Sequence, residues 1–471
     1  MIRWGQGPNR PGEGLGRALG AGRRRARRAR LRTGLFGAAL LLCPGALLAA
    51  ALLLQPGTVR SDRHVSAPVA QVVGIAGNDL TPADLDRVSG LGLHFVRSDF
   101  SWARTERKPG VYDFGPYLEF AREVHARGMR PLFILDYGNP VHTPFTRIQW
   151  RGRDERRTSP PVAPDQIAAY SKWAAAAAKA FAAYDPIWEV WNEPDHPRFW
   201  PPKPDAAAYG RMALAACQAI HSAGRAEVYG PAASKWVDGP FLTALAGSRA
   251  ITCFDRISVH PYQMTGDAAR DGALWDGLWH RIAAGGQVKT PRIANSEWGR
   301  PVVGRVDDQA QARYLVRTLV SALAAGVAPN IWYSWKDAGT DPSNDQHHFG
   351  LLLPDGSPKP AFLALQTMLR QVGALRYACP VQRAGVEGAI FAADPQAGGS
   401  SVKALVWAKT GVARLEPGKI APTGWKVSGL ADMTGKPLEG GEQKLGNAPV
   451  YLRLVPEKTG AQPTLNCPER T

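Results

Sequence analysis

Cysteine is scarce in this sequence, with five residues in a chain of 471. A small scaffold held together by disulfides is therefore excluded. Cys217 falls in an apolar helical pattern and Cys253 just before a strand, and both are predicted to be buried free thiols. Cys379 and Cys467 flank the C-terminal region and would be able to pair in an oxidising compartment. The sequence alone leaves that pairing open.

Acidic residues are also few, 40 against 57 lysines and arginines, for a formal net charge of +17. Much of the excess lies in residues 1–60, which contain eleven arginines and a single acid, Glu13. Because the charge is concentrated in this short head, we predict no nucleic-acid partner for the folded bulk of the chain. The composition is otherwise ordinary, 45% apolar and 21% charged, which excludes collagen-like and largely disordered chains.

A basic head, residues 1–34, precedes an uncharged apolar run from Leu35 to Leu54. As a helix, a run of this length rises about 30 Å, the thickness of the hydrocarbon core of a bilayer. We predict a transmembrane anchor over residues 35–54. By the positive-inside rule the head stays in the cytoplasm and the rest lies outside it, in a bacterial periplasm or at the cell surface. A cleaved signal peptide, and hence secretion, is the alternative.

After a linker at 55–70, residues 71–373 alternate short β-rich runs with helical patterns. The predicted strands are Val72–Ala76, His94–Ser98, Pro131–Tyr137, Ile187–Glu193, Glu227–Pro231, Arg256–Tyr262, Arg292–Glu297 and Asn330–Trp335. Eight such repeats predict an α/β fold, a closed (β/α)8 TIM barrel. A doubly wound open sheet is the rival, but no Gly-x-Gly-x-x-Gly motif follows the first strand.

The sequence pattern changes after Gly373, where short apolar runs are separated by glycine and proline. Residues 374–457 are therefore predicted to form an all-β sandwich beside the barrel. The sequence leaves open whether a segment that precedes Val72 adds a strand to this sandwich. Residues 458–471 are interpreted as a polar tail.

Two predicted barrel strands, the fourth and the seventh, end in glutamates, Glu193 and Glu297. In such barrels the functional side chains stand at the carboxyl ends of the strands. These two would face each other across the mouth, where one carboxyl protonates a leaving oxygen and the other meets an anomeric carbon. The pattern indicates cleavage of a glycosidic bond, a reaction that requires no cofactor.

The motifs around these glutamates are Trp-Asn-Glu-Pro at 191–194 and Ser-Glu-Trp-Gly at 296–299. Together they resemble clan A of the retaining glycoside hydrolases, over the stretch from about Val72 to Leu369. Within the clan the chain looks most like family 39, in which a β-sandwich accompanies the barrel. Some members of that family are exo-acting xylosidases or iduronidases, and others are endoglycosidases tied to secreted bacterial exopolysaccharides.

The resemblance implies roles for individual residues. Glu193 would be the general acid/base and Glu297 the nucleophile that forms a covalent glycosyl-enzyme intermediate. Asn192 would bond the sugar 2-hydroxyl. Arg97 and Tyr262 would keep the nucleophile ionised.

The resemblance also implies that His260 lies near the acid/base and that Trp335 forms an apolar floor under the sugar. Tyr137 stands where some clan members carry a histidine, and is expected to hydrogen-bond sugar hydroxyls instead. Glu189 lies deeper on the fourth strand and is interpreted as part of an internal hydrogen bond. The adjacent histidines His347 and His348 have no third ligand at a matching spacing in the sequence, so no metal site is predicted.

The sequence thus predicts a membrane-anchored, retaining glycoside hydrolase that acts on a polysaccharide or oligosaccharide. An anchored enzyme meets polymer as it leaves the cell, which favours endo action on a secreted exopolysaccharide. An exo-acting enzyme similar to β-xylosidases and a non-catalytic carbohydrate-binding barrel are the alternatives.

Overall fold

The computed structural model describes residues 65–150, 152–235, 239–381, 383–394, 401–458, 463–465 and 467. The basic head and the apolar run at 35–54 lie outside these residues, as does most of the linker. Among the helices of the described ranges, none combines the length and the hydropathy of a membrane span.

Eight parallel strands close into a barrel in which the strands follow one another in chain order and the last pairs with the first. These strands are β1 Val73–Ala76, β2 Phe95–Ser101, β3 Arg130–Asp136, β4 Ile187–Val190, β5 Glu227–Ala233, β6 Arg256–Val259, β7 Ile293–Trp298 and β8 Asn330–Tyr333. The predicted TIM barrel is thereby confirmed.

A helix follows each strand and covers the outside of the barrel. The helices are α1 Pro82–Gly90, α2 Gly115–Ala126, α3 Pro164–Ala180, α4 Ala206–Ala223, α5 Pro240–Ala246, α6 Ala268–Ala284, α7 Asp308–Ala324 and α8 Pro360–Val372. Their starts have local causes: Thr81 and Asp84 form a capping box on α1, and Asp205, Asp267 and Asp307 cap α4, α6 and α7. Side-chain oxygens at these positions accept backbone N–H groups that have no partner inside the helix.

The interior of the barrel is filled by inward-facing side chains, with apolar residues in one layer and an ion pair near it. The apolar layer consists of Ala76, Phe95, Leu132, Ile187, Tyr229, Ala294 and Ile331. On the same face of β2 and β4, two residues further along each strand, the Arg97 guanidinium contacts the Glu189 carboxylate at 2.7 Å. Both side chains are at most 2% exposed, so Glu189 is an internal residue, as expected.

The C-terminal region is all-β. Six antiparallel strands pair in the order Arg376–Pro380, Val386–Ala392, Val402–Ala408, Val450–Pro456, Trp425–Ala431 and Pro437–Leu438. A separate two-stranded sheet, Ala413–Leu415 with Gln443–Leu445, packs over one face of this sheet. The other face belongs to the core of the barrel, where Trp407 donates to Glu387 beside Arg317 of α7. The second layer of the predicted sandwich is thus much smaller than the first.

The segment that precedes the barrel is hydrogen-bonded to the segment that links the barrel to this sheet. The segment Val69–Val72 is a 3-10 helix rather than a strand. The amide of Val69 donates to the carbonyl of Leu375 at 2.8 Å, and that of Ala70 to Gly373 at 2.9 Å. Within the described residues, no strand precedes Val73 that the C-terminal sheet would borrow.

Two disulfides link distant parts of the chain. Cys379, on the first strand of the C-terminal sheet, pairs with Cys467. Cys217 of α4 pairs with Cys253 just before β6. The prediction that Cys217 and Cys253 are free thiols is therefore wrong. These cysteines lie 36 residues apart in sequence but their Cα atoms lie 6.2 Å apart, a proximity that local pattern does not reveal.

Between β3 and α3 the chain forms a two-stranded antiparallel hairpin, Phe145–Trp150 with Arg153–Thr158. We call it the rim hairpin. Because it follows the carboxyl end of a barrel strand, it lies on the face of the barrel where such folds place their active sites.

Candidate active site

The mouth of the barrel gathers the two predicted glutamates. One oxygen of each carboxylate and a ring nitrogen of His260 all lie within 4.8 Å of one another. The side chains of Glu193 and Glu297 are 13% and 15% exposed, so both remain reachable from solvent. Retaining glycosidases hold their carboxyl groups about 5–5.5 Å apart and inverting ones about 6.5–9.5 Å, so this spacing fits the retaining geometry.

Glu193 is held in a strained loop that follows β4. Trp191 and Glu193 have φ angles of 70° and 46°, in the left-handed region that residues other than glycine rarely adopt. Asp195 fastens this loop, because its buried carboxylate accepts hydrogen bonds from Ser234 and from the amide of Lys235 beyond β5. Strain of this kind persists only where the surrounding contacts enforce it, and it is concentrated at functional sites.

Glu297 reaches the mouth through an irregularity in β7. Ala294 faces the inner layer, so strict alternation would point Ser296 inward and Glu297 outward. The pairing of β7 with β8 shifts register between Asn295 and Trp298, and three residues of β7 are opposed by two of β8. This bulge re-aims the Glu297 side chain toward the mouth.

Arg97 joins most of the site into one network. Its guanidinium donates to Glu189 at 2.8 Å, to Glu297 at 2.5 Å and to the side-chain oxygen of Asn192 at 3.1 Å. The Nη2 atom also lies 3.2 Å from Nε2 of His260. Because the guanidinium only donates, His260 Nε2 is the acceptor and the proton of the ring sits on Nδ1. That Nδ1 then donates to Glu193 Oε1 at 2.8 Å.

The surroundings drive the pKa values of the two glutamates apart. Burial raises the pKa of Glu193, and the charges of Glu297 and Asp195 add to this while the His260 hydrogen bond opposes it. Burial alone would raise the pKa of Glu297 too. There His260, the guanidinium of Arg97 and a hydrogen bond donated by Tyr262 at 2.6 Å together outweigh burial and lower the pKa. The surroundings therefore favour a proton on Glu193 and a negative charge on Glu297.

Trp335 does not lie in the site, and the prediction that it forms a floor under the sugar is wrong. Its indole is 1% exposed and donates to Asp84 of α1 at 2.8 Å, with its ring near Phe362 of α8. The strand ends at Tyr333, and the chain turns away before it reaches Trp335.

Tyr333 takes the place expected of Trp335. Its ring packs against the inner layer and lies 5.4 Å from Phe349. Burial, and then the charges of Glu297 and Asp99, raise the pKa of its hydroxyl. The sequence signal for Tyr333 was its position: it is an aromatic residue two positions after Ile331, which faces the barrel interior.

Two further carboxyl groups at the mouth were missed from the sequence. Asp99 follows Arg97 by two residues on the inner face of β2, and its carboxylate accepts from Asn78 at 2.8 Å. Asp136 ends β3, is 2% exposed, and has one buried oxygen without a hydrogen-bond partner in the described residues. Burial and the neighbouring Asp99 raise the pKa of Asp136 well above its usual range. Beside it, Tyr137 accepts a hydrogen bond from Asn192 at 3.1 Å.

Within the residues that the structure describes, two groups of side chains have the spacing of metal ligands. Glu193, His260 and Glu297 form one, but the Arg97 guanidinium already contacts both Glu297 and His260 with a fixed positive charge. Cys217, His221 and Cys253 form the other, but the two sulfur atoms are bonded to each other. The donor sets therefore do not favour a cation, and the chemistry of the two carboxyl groups needs none.

No protein-family profile matches the chain, and no curated protein matches it in sequence. Solved structures do match in fold. A family 39 glycoside hydrolase from Bacteroides cellulosilyticus superimposes with a TM-score of 0.65 at 19% identity, covering 83% of each chain. A family 39 β-xylosidase from Caulobacter crescentus gives 0.56 at 17% identity, over 84% of this chain and 98% of that one.

A family 30 endoxylanase from Clostridium papyrosolvens is also similar, with a TM-score of 0.55 at 12% identity, over 82% of this chain and 96% of that one. At these identities the likeness concerns the fold. The resemblance that the motifs at 191–194 and 296–299 predicted is confirmed at that level. The chain has the barrel-plus-β architecture of the family 39 and family 30 glycoside hydrolases.

Proposed function

We propose that this protein is a retaining glycoside hydrolase. The observation that supports this most directly is the pair Glu193 and Glu297, close together at the mouth with pKa values shifted in opposite directions. Family 39 and family 30 hydrolases with the same fold add support. A purely carbohydrate-binding barrel would have no need of a strained Glu193 beside an ionised Glu297.

In the first step Glu297 attacks the anomeric carbon while Glu193 gives its proton to the leaving oxygen, and a covalent glycosyl-enzyme forms. His260 already donates to Oε1 of Glu193, so the acidic proton is carried by Oε2. In the second step Glu193 accepts a proton from water as the water oxygen attacks the anomeric carbon and displaces the Glu297 carboxylate, which releases the sugar with retained configuration. Asn192, held by Arg97 and Tyr137, is the expected partner of the sugar 2-hydroxyl.

Removal of each glutamate tests the two roles separately. Glu193→Ala and Glu297→Ala should each lower kcat on aryl glycosides at least about 10²-fold, as expected for loss of general acid–base or nucleophilic catalysis. Azide should restore turnover in both. In Glu193→Ala it attacks the covalent intermediate and gives a glycosyl azide of retained configuration. In Glu297→Ala it replaces the missing carboxylate and gives the inverted azide. NMR of the products distinguishes the two anomers.

Glu119→Ala is the matched control, because Glu119 is a surface carboxylate that is 59% exposed and should leave kcat unchanged. An inverted glycosyl azide from the Glu193 variant, together with a retained one from the Glu297 variant, would mean that the two glutamates have the opposite roles. Full activity of either variant without azide would refute the assignment.

The pH profile tests the electrostatic asymmetry. Activity requires ionised Glu297 and protonated Glu193, so kcat/KM should rise through the lowered pKa of Glu297 and fall through the raised pKa of Glu193. Tyr262→Phe removes a hydrogen bond to the ionised form of Glu297, which should raise its pKa. The acidic limb should then move up by about one pH unit, since such bonds are worth about 1.5 kcal/mol. A shift of the alkaline limb alone would contradict the assignment.

We further propose endo action on a polysaccharide. The support is the family resemblance at 191–194 and 296–299 and the rim hairpin, which contacts the loop that carries Glu193. Incubation of the protein with bacterial exopolysaccharides and plant β-glycans should produce a ladder of oligosaccharides, sized by mass spectrometry. Release of monosaccharides alone would favour the exo-acting alternative.

We propose that the barrel works outside the cytoplasm, anchored through residues 35–54. The two disulfides support this location, because such bonds persist in oxidising compartments. After cell fractionation and a high-salt wash, the protein should remain in the membrane fraction with all four of these cysteines protected from alkylation until reduction. Recovery in the soluble extracytoplasmic fraction would favour a cleaved signal peptide, and reactive thiols would contradict the proposed compartment.

A further inference from the structure

The rim hairpin is fixed to the loop that carries Glu193. On the inner face of the hairpin Ile148 is buried, and the ring of Trp150 lies 4.8 Å from that of His196. The carboxylate of Glu155 accepts from Arg198 at 3.2 Å. An isolated two-stranded hairpin is marginally stable in water, so these contacts to the loop after β4 hold it in place. The hairpin therefore has a fixed position beside the candidate site.

The opposite face of the hairpin is exposed and positively charged. Arg147 and Arg156 are directly opposite each other in the strand register, and both are exposed. In the described part of the chain neither guanidinium pairs with a carboxylate, and Asp154 on the same face is hydrogen-bonded to Gln149. Like charges in directly opposed positions destabilise a sheet. A negative charge bound from outside between the two guanidinium groups would offset this repulsion.

An aromatic ring completes this face. Phe145 is 45% exposed, and the Arg156 guanidinium carbon lies 3.7 Å from its ring centroid. The C–H face of a pyranose packs on such a ring, while a pair of guanidinium groups matches the geometry of a carboxylate. The face therefore combines the two kinds of contact that a uronic-acid residue needs.

We propose that Phe145, Arg147 and Arg156 form a binding site for the carboxylate-bearing sugars of an acidic polysaccharide. The inference rests on the proposed function, which it makes more specific by naming a uronate-containing polymer as the substrate class. An acidic polysaccharide fits better than a lipid surface or a nucleic acid because the hairpin that carries this face is fixed to the loop of Glu193.

The test measures binding in the absence of cleavage. In a Glu193→Gln background, the affinity for polygalacturonate, alginate and hyaluronan is compared with that for neutral xylan by calorimetry. Arg147→Gln combined with Arg156→Gln should weaken binding to at least one acidic polymer about tenfold and leave xylan unchanged. The salt dependence of binding to that polymer should decrease as well, because two charge contacts are lost.

Arg225→Gln combined with Lys289→Gln is the matched control. It removes the same charge from exposed residues that precede β5 and β7, at the opposite end of the barrel. An equal loss in this control, or no acidic polymer bound by the parent, would overturn the proposal. Tighter binding of phosphatidylglycerol vesicles or single-stranded DNA than of every acidic polymer, lost with the same two arginines, would also overturn it.

The failure of this proposal is distinguishable from failure of the proposed function. Cleavage of neutral aryl glycosides by the protein with Glu193, Arg147 and Arg156 all intact measures the proposed function by itself. If that cleavage is normal and acidic polymers are not bound, only the binding site is refuted. If acidic polymers bind through the two arginines and no glycoside is cleaved, the hydrolase assignment alone fails.

Discussion

The buried guanidinium of Arg97 is the interaction on which the rest of the site depends. It is 2% exposed and joins Glu189 in the barrel interior to Glu297, Asn192 and His260 at the mouth. An unpaired charge at this depth would cost several kcal/mol, so its partners must be ionised or able to accept. One side chain therefore both favours the ionised form of Glu297 and fixes the tautomer of His260.

Much of the fold could be predicted because it follows from local pattern. Alternating β-rich and helical segments imply the eight-stranded barrel, and caps such as Asp205 mark where helices begin. Glu193 and Glu297 could be found because short motifs surround them at the ends of strands four and seven. Arg97, Asn192, Tyr137, His260 and Tyr262 join them in one hydrogen-bonded group.

The remainder depends on geometry that a linear pattern does not contain. Strict alternation would have turned Glu297 outward, and a single bulge in β7 decides otherwise. The aromatic floor was assigned to Trp335 because β8 was expected to extend two residues further than it does. The pairing of Cys217 with Cys253 arises from packing between α4 and the segment before β6, which no spacing rule reveals.

The two hydrogen bonds from Val69 and Ala70 to Leu375 and Gly373 lie at the end of the barrel where β1 begins. Glu193 and Glu297 lie at the other end. A tether that enters through Val69 would therefore hold the barrel by its base, with the mouth directed away from the surface to which the tether is attached. With the proposed anchor at residues 35–54, this orientation would turn the mouth of the barrel away from the membrane, toward the proposed polymer substrate.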